Sequence, residues 1–214
     1  MATSTAGLVI DLNDDNDGTT SLGFRLALAT LFKQSAPGVA TPGRLADDHF
    51  VVSGTAAMQY TVTGGGLVLV RSSSGGAYLV GMPSGVTVDT APSDGVNPRI
   101  DRIYALQPDP VFDGSTVSVD FVIDVVSGSP AASPTVPELP AGAFELARKV
   151  IAAGAVSTSA GAAFTNVAPV TGLNTPPLPT LTKAQARAQA GIYTGTGAPS
   201  SALGSDGDIY FQRL

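Results

Sequence analysis

The run Asn13-Asp14-Asp15-Asn16-Asp17-Gly18 invites a test for metal chemistry. Asn13, Asp15, Asp17 and Gly18 fall at positions 1, 3, 5 and 6 of a calcium loop, with Thr19 at position 7 and Ser21 at position 9. Such a loop closes on a bidentate glutamate at position 12, and Phe24 stands there instead. The acidic turn reads better as a cap for a following helix, where negative charge meets the positive end of the helix dipole. Covalent catalysis lacks its parts: His49 is the sole histidine, cysteine is absent, and no G-x-S-x-G elbow occurs. His49 borders an apolar run and reads as a strand residue. Paired carboxylates could hydrolyse glycosides, but Asp94, Asp113 and Asp206 stand in turn sequences. Asp120 and Asp124 share one face of a strand pattern, where pairing with Arg99 or Arg102 on a neighbouring strand is the plain role. Gly64-Gly65-Gly66 lacks the Lys-Ser/Thr and the helix of a phosphate loop. Tyr60, Tyr78 and Tyr104 remain as a possible glycan platform, in a chain with no tryptophan and 6% aromatic residues. No catalytic, cofactor-binding or metal-ligating residue is assigned, and neither an enzyme nor a cofactor is expected.

The elements that would position these residues follow from composition and period. Of the 214 residues, 43% are hydrophobic and 13% charged, against about 25% charged in an average soluble domain. Glycine (25) and proline (16) are frequent, which favours many turns over long helices. The formal charge is −6, and Glu138 and Glu145 are the only glutamates among 17 acidic residues. Aspartate favours turns and loops over helix interiors. Without a basic cluster, nucleic-acid binding is not expected, and without cysteine neither disulfides nor thiolate metal sites can form. No signal peptide or membrane span is read from the sequence, so synthesis in a cytoplasm is expected.

The period of the apolar residues changes along the chain. Leu22, Leu26, Ala29 and Phe32 share one face of a helix, with Thr20 or Ser21 as its cap and Pro37-Gly38 beyond its end. From about residue 48 the period becomes two. His49–Val52, Met58–Val62, Leu67–Arg71, Ala77–Val80 and Val86–Val88 read as short strands punctuated by Gly and Ser, the pattern of an antiparallel β-sandwich or barrel. The clearest strand is Val117–Val125, with Val117, Val119, Phe121, Ile123 and Val125 on one face; it should pair with Arg99–Gln107 across the loop PDPVFDGS. Residues 127–142 are too rich in proline for regular structure. Residues 144–156 suit a helix by propensity or a strand by the position of Leu146 and Val150. Residues 157–180 read as an extended linker, followed by a short helix, TKAQARAQAG, capped by Thr182 and ended by Gly191. The turn-rich run GAPSSALGSDG then leads into a short strand, Asp208–Leu214. Such a strand needs a sheet to join, in its own chain or another.

The run APSDGVNPRIDRIYALQ (91–107), the strand after it, and SGSPAASPTVPELPAGAFELARKVIAAGA (127–155) resemble minor tail and baseplate-type proteins of long-tailed bacteriophages. The carboxyl end, GTGAPSSALGSDGDIYF, is similar to a short motif of phage tail-fibre and tail-tip proteins. The resemblance covers most of residues 20–156 and 191–214, and its motifs are turns and strands. It implies a strand over 144–156. It also implies a virion structural protein of a tail tip, baseplate or fibre that acts in assembly and in presenting host-recognition parts. Its partners would be other tail proteins and further copies of itself, commonly as a trimer, with a host surface glycan or protein as a further partner. The expected architecture is an N-terminal arm and helix (1–45), an antiparallel β-domain (46–156) and an extended C-terminal arm with a short helix and terminal strand (157–214). That arm is expected to contact another subunit.

Overall fold

The computed structural model describes residue 14, residues 18–174, and the backbone of 192–195 and 209–212. Two compact units divide the chain between Asn174 and Thr175. In the first unit, α1 (Ser21–Ala29) is followed by a small hairpin of β1 (Gln34–Ala36) and β2 (Val39–Ala40). Then come β3 (Gly43–Arg44), β4 (Val52–Gly54), β5 (Gln59–Val62), β6 (Gly65–Leu69), β7 (Tyr78–Met82), β8 (Val86–Asp89) and β9 (Arg99–Leu106). A single-turn helix, α2 (Pro110–Asp113), precedes β10 (Val122–Ser127) and β11 (Phe144–Ile151). Beside the β1–β2 hairpin, the described residues form three three-stranded antiparallel sheets, in the strand orders β3-β6-β7, β4-β5-β8 and β10-β9-β11. The chain is therefore mainly β and antiparallel, and among the described residues no barrel closes.

The three sheets share one core. Phe50, Tyr60, Val62, Leu67, Leu69, Ile103 and Leu146 are buried in it almost completely, each contributing about 1.5–3 kcal/mol relative to exposure. A smaller cluster joins Ala29 and Phe32 at the end of α1 to Ala40, Val68 and Ala77. Thr20 caps α1, its Oγ1 accepting from Gly23 N–H at 3.0 Å, and the helix stops at Ala29. The following residues enter the hairpin, turned by Pro37 and by Gly38 at a φ of 77° that suits glycine.

Several boundaries differ from the sequence reading; the strand expected over His49–Val52 runs over Val52–Gly54. The expected strand Val117–Val125 begins only at Val122. Phe121, Ile123 and Val125 do pack on the core, while Val119 is exposed. The chain approaching from α2 stays outside the ladder until Val122 meets Leu106. Residues 157–174, expected as the start of an arm, pack into the first unit. Thr158 is fully buried, with Oγ1 donating to the Gln59 carbonyl and accepting from Thr55 N–H at 2.8 Å. Ala168 N–H donates to Leu146 O at 2.8 Å, and Thr171 N–H to Arg44 O at 2.8 Å. Gly43 permits this approach, since a Cβ there would stand 2.7 Å from the Pro169 carbonyl.

In the second unit, β12 (Ile192–Gly195) pairs in parallel with β13 (Ile209–Gln212), Ile192 opposite Ile209 and Gly195 opposite Gln212. The terminal strand thus finds a partner in its own chain. The helix expected at 182–191 lies outside the described residues.

Candidate functional site

A groove of about 1140 Å3 runs between α1, the first half of β7 and the segment entering α2. Its polar floor is built from three segments far apart in sequence. Asp109 caps α2, its Oδ1 accepting from Val111 N–H at 2.8 Å. Its Oδ2 accepts from the Tyr78 hydroxyl at 2.5 Å and lies 3.1 Å from Arg25 Nη1. The Arg25 guanidinium sits 4.8 Å above the Tyr78 ring, and its Nε donates to Gly75 O at 2.9 Å. Burial and the hydrogen bond to Asp109 push the Tyr78 hydroxyl up to about 12, while that same bond is the main force holding the Asp109 carboxyl below its ordinary value. Next to it, Arg71 grips Asp113 through two 2.6 Å bonds, and Asp113 also accepts from Asp109 N–H at 2.8 Å. These bonds hold the Asp113 carboxyl at about 2. Every acid on this floor is thus ionised and engaged. The rim is apolar: Leu22, Phe24, Leu79, Val111 and Val119 are exposed.

The floor is thus made of paired ions under an apolar rim. Tyr78 holds its proton against a carboxylate that already has two other donors, so it is no general base near neutrality. Asp94 accepts from Val96 and Asn97 N–H at 2.9 and 2.6 Å, which shapes its own turn. Asp113 belongs to Arg71, and Asp206 lies outside the described residues. Among the described residues no group of three His, Asp or Glu could hold a metal. In the acidic run, Asn13, Asp15 and Asp17 lie outside the described residues. Phe24 N–H donates to Thr20 O at 2.9 Å in the first turn of α1. His49 sits in a turn rather than in a strand, its Nδ1 accepting from Gly66 N–H at 3.0 Å. Arg44, which donates to Asp47 O and His49 O, clamps that turn.

The three tyrosines form no platform. Tyr60 and Tyr104 are buried, their hydroxyls on Asp101 and Asp124 at 3.0 and 3.5 Å, and Tyr78 turns its hydroxyl into the floor. Nor do Asp120 and Asp124 pair with the arginines. Asp120 bonds Ser118 at 2.9 Å, and Asp124 lies opposite Tyr104.

The arginines of β9 have acidic partners that the sequence reading passed over. Asp101 is wholly buried and accepts from Arg99 Nε at 2.7 Å, Thr90 Oγ1 at 2.7 Å and Tyr60 OH. Arg99 further donates to Pro92 O and Ala91 O. Burial and the Asp101 charge together push the Tyr60 hydroxyl well above its ordinary value. On the other face of β9, Glu145 accepts from Arg102 at 2.5 Å and from Arg148 at 2.7 and 2.9 Å. Burial pushes its carboxyl up, but Arg148, Arg102 and Asn166 outweigh it and hold the carboxyl at about 2. Lys149, almost fully buried, donates to the Ala162 carbonyl at 2.7 Å and lies 4.8 Å from the Phe164 ring, and burial lowers its pKa. The signal for Asp101 was its spacing two residues from Arg99 on one strand, which puts both on one face.

No family model, no curated protein and no solved structure matches the chain. Among the described residues no helix is long and apolar enough to cross a membrane.

Proposed function

We propose that this chain is a virion structural protein of a phage tail tip, baseplate or fibre, and that its work is assembly. The observation that carries this reading is the β12–β13 pair. Two parallel strands make a sheet too small to stand by itself in water, and parallel strands are normally covered on both faces. A pair of this kind in a separate unit, after a segment containing Pro176, Pro177 and Pro179, gains its stability by joining other strands. Copies of the same chain, with a trimer favoured, and neighbouring tail proteins are the partners that fit. The resemblance of residues 91–107, 127–155 and 195–211 to tail proteins supports the same conclusion. Within the first unit the acids of the groove floor and of β9 are consumed by internal ion pairs, which favours a scaffold over an enzyme. Tyr60, Tyr78 and Tyr104 turn their hydroxyls onto internal carboxylates, which favours assembly over glycan recognition by these three.

The test is the solution mass, by light scattering, of the full chain beside a form ending at Asn174, where the compact unit ends. A full-length assembly that becomes smaller on truncation supports assembly through residues 175–214. Equal masses for the two forms overturn it.

A further inference from the structure

Among the described residues, β7 is an edge strand with no strand on its outer side. Its direction is fixed by β6. Gly66 O accepts from Leu45 N–H at 3.0 Å and Gly66 N–H donates to His49 Nδ1 at 3.0 Å, so its polar groups face away from β7. The positions of β6 that bond to β7 are then 65, 67 and 69, opposite 82, 80 and 78. By the same alternation, Leu79 and Gly81 turn their N–H and C=O outward, and no described residue bonds to them there. The open stretch is bounded at both ends. Ala77 N–H is taken by the Arg25 carbonyl at 3.0 Å, and Pro83 has no N–H. Strand edges are usually protected by charge, proline or a bulge; Tyr78-Leu79-Val80-Gly81-Met82 has none of these and pairs with β6 without a register shift.

We propose that a second copy of this chain covers the edge, β7 against β7, antiparallel about a twofold axis at Val80. In that register Leu79 of one copy faces Gly81 of the other, and each facing pair exchanges both its N–H···O bonds. A slip of two residues one way sets position 77, whose N–H is already used, against Gly81. A slip the other way sets Pro83 against Leu79. The side chains fit the same register. Leu79 is 49% exposed, whereas a Cβ on Gly81 would find no atom within 4 Å. Leu79 of one copy therefore fills the gap over Gly81 of the other, in a shallow pocket of about 760 Å3 lined by Leu45, Gly66, Met82 and Pro83. The flanks of the strand agree as well. α1 and Asp109–Val111 wall the first half of β7, and the second half opens onto the shallow pocket. Antiparallel pairing sets the walled half of each copy against the bare half of the other. The contact is isologous and independent of residues 175–214 and of the tail-protein reading.

The absence of cysteine supplies the test. Full-length Leu79→Cys and Gly81→Cys proteins are oxidised separately and as a mixture. A hydrogen-bonded antiparallel pair places Cα atoms about 5.5 Å apart, within disulfide range. Cross-linked dimer should form in the mixture and be scarce in either protein alone. Equal cross-linking in all three samples, or none in the mixture, overturns the proposal. A second measurement uses Leu79→Pro, which removes an outward N–H and leaves the bonds to β6 in place. Its mass by light scattering should be half that of the wild type, with an unchanged circular dichroism spectrum; an unchanged mass overturns the proposal. So does slow hydrogen exchange at the Leu79 and Gly81 amides of a wild-type monomer, because a segment of the same chain would then be covering the edge.

Discussion

β9 and β7 reverse the usual distribution of charge in a sheet. A central strand is normally apolar, and an edge strand carries the charges that keep other chains away. Here the central strand β9 holds Arg99, Asp101 and Arg102, while the edge strand β7 holds no charge at all. The difference teaches where each kind of group is tolerated. Ions enter the interior when their charge is paired and hydrogen bonds surround it, as for Arg99 on Asp101, Pro92 and Ala91. An apolar edge with outward N–H and C=O groups persists where another chain is meant to cover it.

The comparison breaks most sharply at Asp101. Asp101→Ala leaves Arg99 buried without its counter-charge and deprives Tyr60 and Thr90 of an acceptor. Stability should fall by about 3–5 kcal/mol, read from denaturant midpoints. The double replacement Arg99→Met/Asp101→Leu should recover most of that loss, since a packed apolar pair replaces the ions. If the double variant is no better than the single one, the pair contributes more than mutual compensation.

The second effect is acid sensitivity. The Glu145 carboxyl stands at about 2 in the folded chain against an ordinary value of 4.5, and its side chain is only 9% exposed. A depressed carboxylate stabilises the fold fully above its unfolded value and loses that contribution as pH falls toward the folded value. Between about pH 4.5 and 2 the fold should therefore lose about 3 kcal/mol through this group. Glu145→Gln should flatten that part of the stability–pH curve; a curve of unchanged slope would place the acid sensitivity elsewhere.

A smaller loss is expected at Thr158, which ties residues 157–174 to the β-domain. Thr158→Val keeps the volume, leaves Thr55 N–H without its acceptor and removes one of the two hydroxyls that donate to Gln59 O, costing about 1–3 kcal/mol. A change under half of that would mean water replaces the hydroxyl. The smallest effect belongs to the edge: Leu79→Lys should alter the stability of the isolated fold by no more than about 0.5 kcal/mol while abolishing the β7–β7 contact. A large loss in melting temperature in the monomer would show that Leu79 serves the core instead.

How much of this was legible in the sequence depended on side-chain period. β5, β6, β7 and β9 stand close to where alternating apolar residues placed them, and β11 runs over Phe144–Ile151 where helix and strand competed. β9 also shows how the period misleads. Its inward face is Arg99, Asp101, Ile103 and Ala105, and charges two residues apart look like a solvated face until their partners on other strands are known. Residues 157–174 carried no periodic signal, because small and polar residues hold them in place through backbone bonds to distant strands, and such bonds leave no mark on residue type. The groove floor was invisible for a similar reason. Arg25, Tyr78 and Asp109 are brought together by topology alone.

The return of residues 168–171 to β3 has a consequence for how the protein is born. Arg44 Nε donates to Ala168 O across 124 residues of chain, and Thr171 Oγ1 donates to Thr41 O across 130. At a synthesis rate of about 5–20 residues per second, Arg44 waits roughly 6–25 s for that partner to be made. During that interval the nascent chain presents an uncovered β3 margin, so the vulnerable period of this protein is set by the pace of translation and ends only when the last turn of the first unit arrives.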